Sequence, residues 1–346
     1  MKRLNNKGMT LMELLVSVIL ISVIMIFMYK LISDVRSEKK DNDKVTDNIL
    51  KISEIEVESL NEFTSKILYE KNSHEKLPPA SMTKVMSMLL VMEAIDNGTI
   101  KLSDEVQISE TAASMGGSQV FLEAGEIYPV EELLKGVAIA SGNDAVVALA
   151  EKVSGSVESF VEKMNQRASE LGMKDTIYKN PHGLDAEGHI TTAYDMSLVA
   201  KELLKHEKIL EYTSIYEYYM KKPDESTTWL VNTNKLVRFY DGVDGLKTGY
   251  IDESGYNLAL TAVRNGMRIL SVTMKGPGNN TQEGQAGRVK DGTTIMEWAY
   301  STFAEYKNPF LLRTYNIPLA CAKSERLPLI PAYKPESLLI PLSLVN

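Results

Sequence analysis

Three short groups of polar residues in this chain carry the functional groups that acyl transfer needs. Ser81 and Lys84 are three positions apart, so a helix would place the hydroxyl and the amine on one face, about one turn apart. A serine hydroxyl becomes a good nucleophile only when a base takes its proton, and a buried lysine with a lowered pKa can be that base. S-x-x-K alone also occurs in helix caps with a solvated lysine, so it needs support from elsewhere in the chain.

Two further groups supply that support. The S-G-N run at 141–143 is predicted to lie in a loop between two helices, where the serine can relay a proton and the asparagine can bind an amide. The K-T-G run at 247–249 is predicted to lie on a strand. Its lysine and threonine can bind a carboxylate, and its glycine lets a substrate backbone lie against the strand edge.

Helices are predicted around the first two groups. Apolar residues recur at steps of three and four from Ser81 to Asp96, and Asn97 and Gly98 end that helix. Asp144 is expected to be a helix N-cap. The methionines among these residues are expected to fill core rather than to bind metal. Further helices are predicted at 130–140, 144–152, 156–171, 193–205 and 288–303.

Strands are predicted on either side of this helical block. Residues 55–70 indicate a strand pair, and Leu246–Tyr250 a single strand. Alternating apolar residues before and after Asn265 and Gly266 predict a hairpin with a type I′ turn. The expected fold class is α+β, with an antiparallel sheet flanked by helices and an all-helical subdomain.

Composition excludes several classes of function. The 346 residues are 44% hydrophobic and 24% charged, as in an ordinary globular protein. The formal net charge of −8 would repel a polyanion, so no nucleic-acid partner is expected. Cys321 is the single cysteine, and the four histidines lack zinc-site spacing, so neither a metal nor another cofactor is predicted.

The N-terminus predicts export. A basic leader precedes an apolar run from Met9 to Tyr29, which is long enough to span a bilayer. One interpretation is an uncleaved signal anchor. The other interpretation is a leader that resembles that of type IV prepilins. Gly8 directly precedes the apolar run, and Glu13 is the fifth residue after Gly8. Both interpretations place the rest of the chain outside the cytoplasmic membrane, beyond a polar linker at 30–51.

The three groups, in this order, resemble the signature of penicillin-binding proteins and serine β-lactamases. The S-G-N form is similar to that of the low-molecular-mass D-alanyl-D-alanine carboxypeptidases of serine peptidase family S11. The resemblance extends over about residues 55–303. It includes LYEKN (68–72), PPASMTK (78–84), GGSQVFLEAGE (116–126), ASGNDA (140–145), MNQRASELGM (164–173), NPHGLD (180–185), TAYD (192–195) and DGLKTGYIDESGYNLALTA (244–262). It implies the fold of serine β-lactamases and DD-peptidases for a catalytic domain at 52–305.

The resemblance implies a catalytic role for three residues. Ser81 attacks the carbonyl of the penultimate D-alanine of a peptidoglycan stem and forms an acyl-enzyme, which β-lactams such as penicillin also form. Lys84 accepts the proton of Ser81, and Ser141 helps to deliver a proton to the departing D-alanine. His182 and His189 are expected to hold a loop in place rather than to act as bases.

It also implies a set of substrate-binding residues. Asn143 holds the peptide side of the substrate, Gly249 lies against its backbone, and Lys247 and Thr248 face its terminal carboxylate. The backbone N–H groups of Ser81 and Tyr250 form the oxyanion hole. Arg288 is either a second ligand of the carboxylate or an exposed arginine at the start of a helix.

Two other classes of function stay open. A β-lactamase shares the fold, but the E-x-x-N pair here, Glu162 and Asn165, is predicted to lie mid-helix with a solvated glutamate. The prepilin-like leader also allows a pilin-like structural protein that carries an inactive domain. Residues 306–346 are expected to be a short proline-rich remnant in place of the second domain usual in the family.

Overall fold

A computed structural model describes residues 52–58, 66–306 and 338–341 of the chain. The chain divides into two units, residues 1–50 and 51–346, and the described residues all belong to the second. The predicted leader, membrane span and linker therefore lie outside the described residues.

The described residues form helices, strands and a 3-10 turn at Ala80–Thr83. In chain order they are β1 (Ile52–Glu58), β2 (Lys66–Tyr69), α1 (Lys84–Asp96), β3 (Glu105–Gln107), α2 (Glu110–Ala113), β4 (Ile127–Pro129), α3 (Val130–Ala140), α4 (Asn143–Ser154), α5 (Val157–Glu170), α6 (Ala193–Leu204), α7 (Lys208–Thr213), β5 (Glu217–Lys221), β6 (Thr227–Val231), α8 (Leu236–Phe239), β7 (Val243–Ile251), β8 (Gly255–Arg264), β9 (Met267–Gly276), α9 (Thr281–Thr302), β10 (Phe303–Tyr306) and β11 (Leu338–Pro341).

Five strands form one antiparallel sheet in the order β2-β1-β9-β8-β7. The predicted hairpin is β8 and β9, and Asn265 and Gly266 between them both have positive φ, 52° and 81°, as a type I′ turn requires. The predicted strand pair is β1 and β2. Strand β7 is the edge strand of this sheet, so one side of its backbone is not paired with another strand of it.

Helix α1 lies at the centre of the molecule. Ten of its thirteen residues are buried, and it packs against α6, α4 and β7. The methionines of α1 and of the preceding 3-10 turn are part of this core as predicted: Met82, Met86, Met88 and Met92 are at most 1% exposed. Because α1 is enclosed on all sides, the polar side chains at its N-terminus are withdrawn from water.

The helices predicted around the S-G-N motif agree with α3, α4, α5 and α6 within two residues at each end. The helix predicted at 288–303 is wrong at its start, because α9 begins at Thr281, after the side chain of Asn280 caps it. Gly284 and Gly287 weaken the helical pattern of this first part, which is why periodicity missed it. The hairpin of β5 and β6 was not predicted.

Candidate active site

The nucleophile and base predicted from S-x-x-K lie side by side. Ser81 is in the 3-10 turn and Lys84 is the first residue of α1, so about one helical turn separates the two residues. Lys84 Nζ donates a hydrogen bond to Ser81 Oγ at 3.0 Å and another to the backbone oxygen of His182 at 2.6 Å. Lys84 is fully buried, and this burial, followed by the charge of Lys247, holds its pKa well below the usual range. This shift favours the uncharged amine, which is the form that can accept the hydroxyl proton.

A loop at 180–184 fixes the turn from one side. Gly183 has φ +86°, and a Cβ atom there would lie 1.9 Å from the backbone oxygen of Ala80, so only glycine allows this approach. The side chain of Asn180 accepts hydrogen bonds from the N–H groups of His182 and Gly183. The loop thereby holds the His182 carbonyl against Lys84.

The two histidines of this region are structural in their contacts. His182 Nδ1 accepts a hydrogen bond from the Leu184 N–H, and His189 Nε2 is hydrogen-bonded to Thr83 Oγ1 at 2.9 Å. Burial lowers the pKa of each histidine to about 4, so both are neutral at pH 7. Neither contacts Ser81, in line with the loop-holding role predicted for them.

Ser141 and Asn143 each have a buried polar side-chain atom. Ser141 ends α3 in the left-handed conformation, with φ 64° and ψ 30°. Among the described residues, Ser141 Oγ and Asn143 Oδ1 have no hydrogen-bond partner, although both residues are 2% exposed. Asn143 Nδ2 donates to the backbone oxygen of Gly116 at 2.7 Å, which fixes the amide plane. Both free atoms are available to bind a ligand.

The prediction for Asp144 is wrong. The N-cap of α4 is Gly142, which has no side chain, and Asp144 lies within the first turn of that helix. Its buried carboxylate accepts hydrogen bonds from the N–H groups of Val120 and Leu122 at 3.0 and 3.2 Å. The residue therefore fastens a neighbouring loop beside Asn143 instead of capping a helix.

Strand β7 brings the K-T-G motif against the nucleophile. A Cβ atom on Gly249 would lie 3.0 Å from both the side chain of Met82 and the backbone oxygen of Pro79, so the glycine permits close approach to the turn that carries Ser81. Lys247 is 1% exposed, and its Nζ donates to the backbone oxygen of Thr248 at 2.9 Å. Thr248 Oγ1 donates to Thr233 Oγ1 at 2.8 Å.

Arg288 completes a pair of cations with Lys247. It lies inside α9 rather than at the start of a helix, and its guanidinium carbon is 5.9 Å from the centre of the Tyr256 ring. Within the described residues it has no ion pair. Burial lowers the pKa of Arg288 to about 10, and burial together with the charge of Arg288 lowers that of Lys247 to about 7. Among the described residues, neither side chain is paired with a carboxylate, so the two together can attract an anion.

Tyr250 lies at the exposed end of the motif, with 47% of its surface accessible. Its hydroxyl donates to Asp252 at 2.7 Å, and its ring stacks at a tilt on Tyr256, with 4.4 Å between the ring centres. The hydrogen bond to Asp252 is the main cause that raises the pKa of Tyr250 to about 12. The phenol is therefore protonated at pH 7 and is not a base.

The predicted E-x-x-N pair lies within α5. Glu162 is exposed, and Asn165 hydrogen-bonds the backbone of Tyr178, so this pair does not position a hydrolytic water. In the part of the chain that the structure describes, no group of histidine, cysteine or acidic residues is arranged to hold a metal. No helix within the same residues is long and apolar enough to cross a bilayer.

Sequence reasoning missed three residues that support the site. Thr233 bonds to Thr248, Asn257 links the Pro79 carbonyl to β9 through the Lys275 N–H, and Tyr256 supports Arg288. A buried N-T-N run at 232–234 was the one available signal, because asparagines among apolar strand residues need partners.

Comparison with known proteins identifies the family. Residues 52–278 match the model of the peptidase S11 family, described as D-alanyl-D-alanine carboxypeptidase. The chain belongs to this family. Residues 3–29 match the prokaryotic N-terminal methylation motif, in agreement with the prepilin-like leader predicted for that segment.

Individual relatives agree with this assignment. The chain is 54% identical over 240 residues to the D-alanyl-D-alanine carboxypeptidase DacF of Bacillus subtilis, a match that covers 69% of this chain and 60% of that protein. It is 37% identical over 250 residues to DacC of Escherichia coli, covering 69% and 59%. The chain thus spans about 60% of the length of the curated relatives it matches.

Solved structures confirm the predicted fold. Penicillin-binding protein 5 from Haemophilus influenzae superposes with a TM-score of 0.66 at 31% identity, covering 74% of this chain and 73% of that one. The carboxypeptidase DacD from Francisella tularensis gives a TM-score of 0.67 at 27% identity, covering 74% and 71%. The α+β fold of DD-peptidases, with its sheet and helical subdomain, is therefore the fold of this chain.

Proposed function

We propose that this chain is a serine-type D-alanyl-D-alanine carboxypeptidase that removes the terminal D-alanine from the pentapeptide stems of peptidoglycan. The observation that carries the proposal is the 3.0 Å hydrogen bond between Lys84 Nζ and Ser81 Oγ, at an amine whose pKa is lowered by burial. Family membership and the shared fold support the same activity.

In the acylation step, Ser81 Oγ attacks the carbonyl carbon of the penultimate D-alanine while Lys84 takes the hydroxyl proton. The carbonyl oxygen becomes an oxyanion, which the backbone N–H groups of Ser81 and Tyr250 stabilise by about 3 kcal/mol per donor in related acyl-transfer sites. When the C–N bond breaks, the proton held by Lys84 passes through Ser141 to the departing amine. Water then attacks the ester and regenerates Ser81.

The anion site sets the specificity for a free C-terminus. Lys247, Thr248 and Arg288 bind the terminal carboxylate, which supplies the negative charge that the two cations lack. The substrate backbone lies along the open edge of β7 beside Gly249, as an added strand, and Asn143 binds its peptide side. No metal or other cofactor takes part in these steps.

A β-lactam supplies the same attacked carbonyl and carboxylate, so penicillin acylates Ser81 and inhibits the enzyme. The S11 match and the exposed Glu162 favour a carboxypeptidase over a β-lactamase. The pairing of Ser81 with Lys84 favours an active enzyme over an inactive domain carried by a pilin-like protein.

We also propose the division of the chain that its sequence predicts. Residues 1–29 are the prepilin-like leader and membrane anchor, 30–51 the linker, 52–305 the extracytoplasmic catalytic domain and 306–346 a proline-rich C-terminal segment. The methylation-motif match supports the first assignment. Release of the protein from membranes after deletion of residues 1–30, but not before, is the expected result, and release of the intact chain would contradict it.

The direct test measures D-alanine released from diacyl-Lys-D-Ala-D-Ala by the full-length chain, with and without penicillin. Release that penicillin blocks and that Ser81→Ala abolishes is expected. Absence of release by wild-type protein with native circular dichroism would reject the carboxypeptidase. Persistent hydrolysis of penicillin at many turnovers per second would instead identify a β-lactamase.

A further inference from the structure

The hairpin of β5 and β6 carries two large aromatic rings on its outward side. Tyr219 and Trp229 lie directly opposite each other across the two strands, and their side chains are 62% and 59% exposed. The inward side is different, since Met220 and Leu230 are 1% and 3% exposed. The inner side therefore completes the core, while the outer side keeps a pair of rings that favour contact with a partner.

The residues that follow β6 in the chain reach the K-T-G motif. Exposure alternates along this segment: Trp229 is exposed, Val231 and Thr233 are half-buried, and the residues between them are buried. Thr233 is the residue that accepts the hydrogen bond of Thr248 in the K-T-G motif. Thr233 lies two residues beyond the end of β6, and the four residues from Trp229 to Thr233 span at most about 13–14 Å.

We propose that Tyr219 and Trp229 form a binding site for a saccharide ring, namely the sugar to which the stem peptide is attached. The inference rests on the proposed function. A pentapeptide stem has five residues between its terminal carboxylate and the sugar, and an extended chain of five residues spans up to about 17–18 Å, which is more than the separation of Trp229 from Thr233. A stem whose C-terminus is held near Thr248 thus reaches the aromatic pair with its sugar.

The chemistry around the rings fits a sugar. A pyranose ring presents C–H groups on a face and hydroxyls at its rim, and the positive C–H groups are attracted to the negative face of an aromatic ring. The neighbours on the outward side are hydrogen-bonding residues: Lys221 pairs with Thr227 across the strands, and Glu217 bonds to Arg238 at 3.4 Å. A small aromatic platform with a polar rim of mixed charge suits a sugar better than a broad protein interface or an anionic membrane.

Intrinsic fluorescence provides a direct test, because the chain contains only two tryptophans, Trp229 and Trp298. In a Trp298→Phe variant of the full chain, all tryptophan emission comes from Trp229. Titration with a tetramer of N-acetylglucosamine, which has no peptide, is expected to give a saturable change in emission that Tyr219→Thr weakens at least fivefold. The matched control is Trp229→Phe, in which Trp298 reports alone and is expected to show no change. A flat titration of Trp229, or equal changes in both variants, would overturn the proposal.

Kinetics separate this inference from the proposed activity. The Tyr219→Thr/Trp229→Thr variant and wild type are compared on a free pentapeptide and on the same pentapeptide linked to its disaccharide. The expected result is a value of kcat/KM within twofold of wild type on the free peptide, and about a tenfold loss, mainly in KM, on the linked one. Equal losses on both substrates would overturn the sugar contact. A wild-type enzyme inactive on the free peptide would reject the proposed function, while the fluorescence titration would still decide on the sugar.

A second copy of the chain is the competing occupant of the same rings. Sedimentation of wild type and of the double variant at rising concentration tests it. A monomer in both is expected, whereas a dimer lost in the variant would overturn the saccharide assignment.

Discussion

Two regions of the site each bury a lysine, and they give it different neighbours. On the helical side, Lys84 donates to the hydroxyl of Ser81 and to a backbone carbonyl. On the sheet side, the only hydrogen bond of the Lys247 amine within the described residues is to the carbonyl of the next residue, and Lys247 lies near the cation of Arg288. Burial lowers the pKa of both lysines. The difference shows that burial alone does not assign a role: a lysine beside a hydroxyl is suited to be a base, and a lysine beside a second cation is suited to bind an anion.

The largest effect is expected on the helical side. Lys84→Met removes the only amine that contacts Ser81 among the described residues, so acylation should fall by about 10³-fold. The rate of labelling by a fluorescent penicillin measures this loss, and Lys101→Met, at an exposed lysine, is the control. If Lys84→Met retained more than a tenth of the wild-type rate, the comparison of the two lysines would fail.

The second largest effect is expected at Gly249, where β7 contacts the turn that carries Ser81. Gly249→Ala places a methyl group 3.0 Å from Met82 and from the Pro79 carbonyl, so β7 and the Ser81 turn must separate. We expect about a 30-fold loss of acylation and a free energy of unfolding lower by about 1–3 kcal/mol. Gly287→Ala is the control, because its new Cβ would have only an ordinary contact at 3.6 Å. Equal behaviour of the two variants would mean that the close approach is unimportant.

A third change acts on the sheet side alone. A Cβ atom on Gly284 would lie 1.9 Å from the Tyr256 ring, so Gly284→Ala must move the start of α9 and, with it, Arg288 one turn later. The expected result is about a tenfold decrease in the preference for a free C-terminal carboxylate over its amide, measured as the ratio of kcat/KM for the two peptides. This ratio is independent of the fraction of folded enzyme. An unchanged ratio would show that Arg288 does not depend on the contact between Gly284 and Tyr256.

The smallest effect is in the pH dependence of stability. Lys247 has a pKa of about 7 in the folded state, below its ordinary value, so between about pH 7 and pH 10 the unfolded chain binds the extra proton. Stability should therefore rise with pH across this window because of Lys247. Lys247→Met removes this contribution. The free energy of unfolding in urea is expected to be higher for the variant than for wild type at pH 7, and this difference should decrease towards pH 10. A difference that stays constant with pH would contradict the lowered pKa.

Much of this fold follows from local patterns in the sequence. Helices α3 to α6 and the hairpin of β8 and β9 begin and end within a few residues of the positions predicted from apolar periodicity and turn residues. The start of α9 was missed because two glycines weaken its helical pattern, and Gly284 is required by its packing against Tyr256, which the local sequence does not reveal. The hairpin of β5 and β6 was missed because its outward rings obscure the alternation of a half-buried strand.

The candidate site also has features that the sequence predicts and features that it does not. The motifs indicate which residues have functional side chains. The S-x-x-K motif also predicts the contact between Ser81 and Lys84, because a single helical turn separates the two residues. Contacts between distant segments could not be predicted from spacing: Thr233 with Thr248, Asp144 with the amides of Val120 and Leu122, and Asn257 with Pro79. These contacts depend on the tertiary fold, and the contact of Asn257 with Pro79 joins residues that are 178 positions apart in the chain.

The left-handed backbone of Ser141 limits which alcohol this position can hold. A β-branched side chain is strongly disfavoured at positive φ, so threonine would keep the hydroxyl but strain the end of α3 by about 1–2 kcal/mol. Glycine would relieve the backbone and lose the hydroxyl. A substitution that retains the same functional group is therefore the more disruptive of the two for folding, and only serine meets both demands at once.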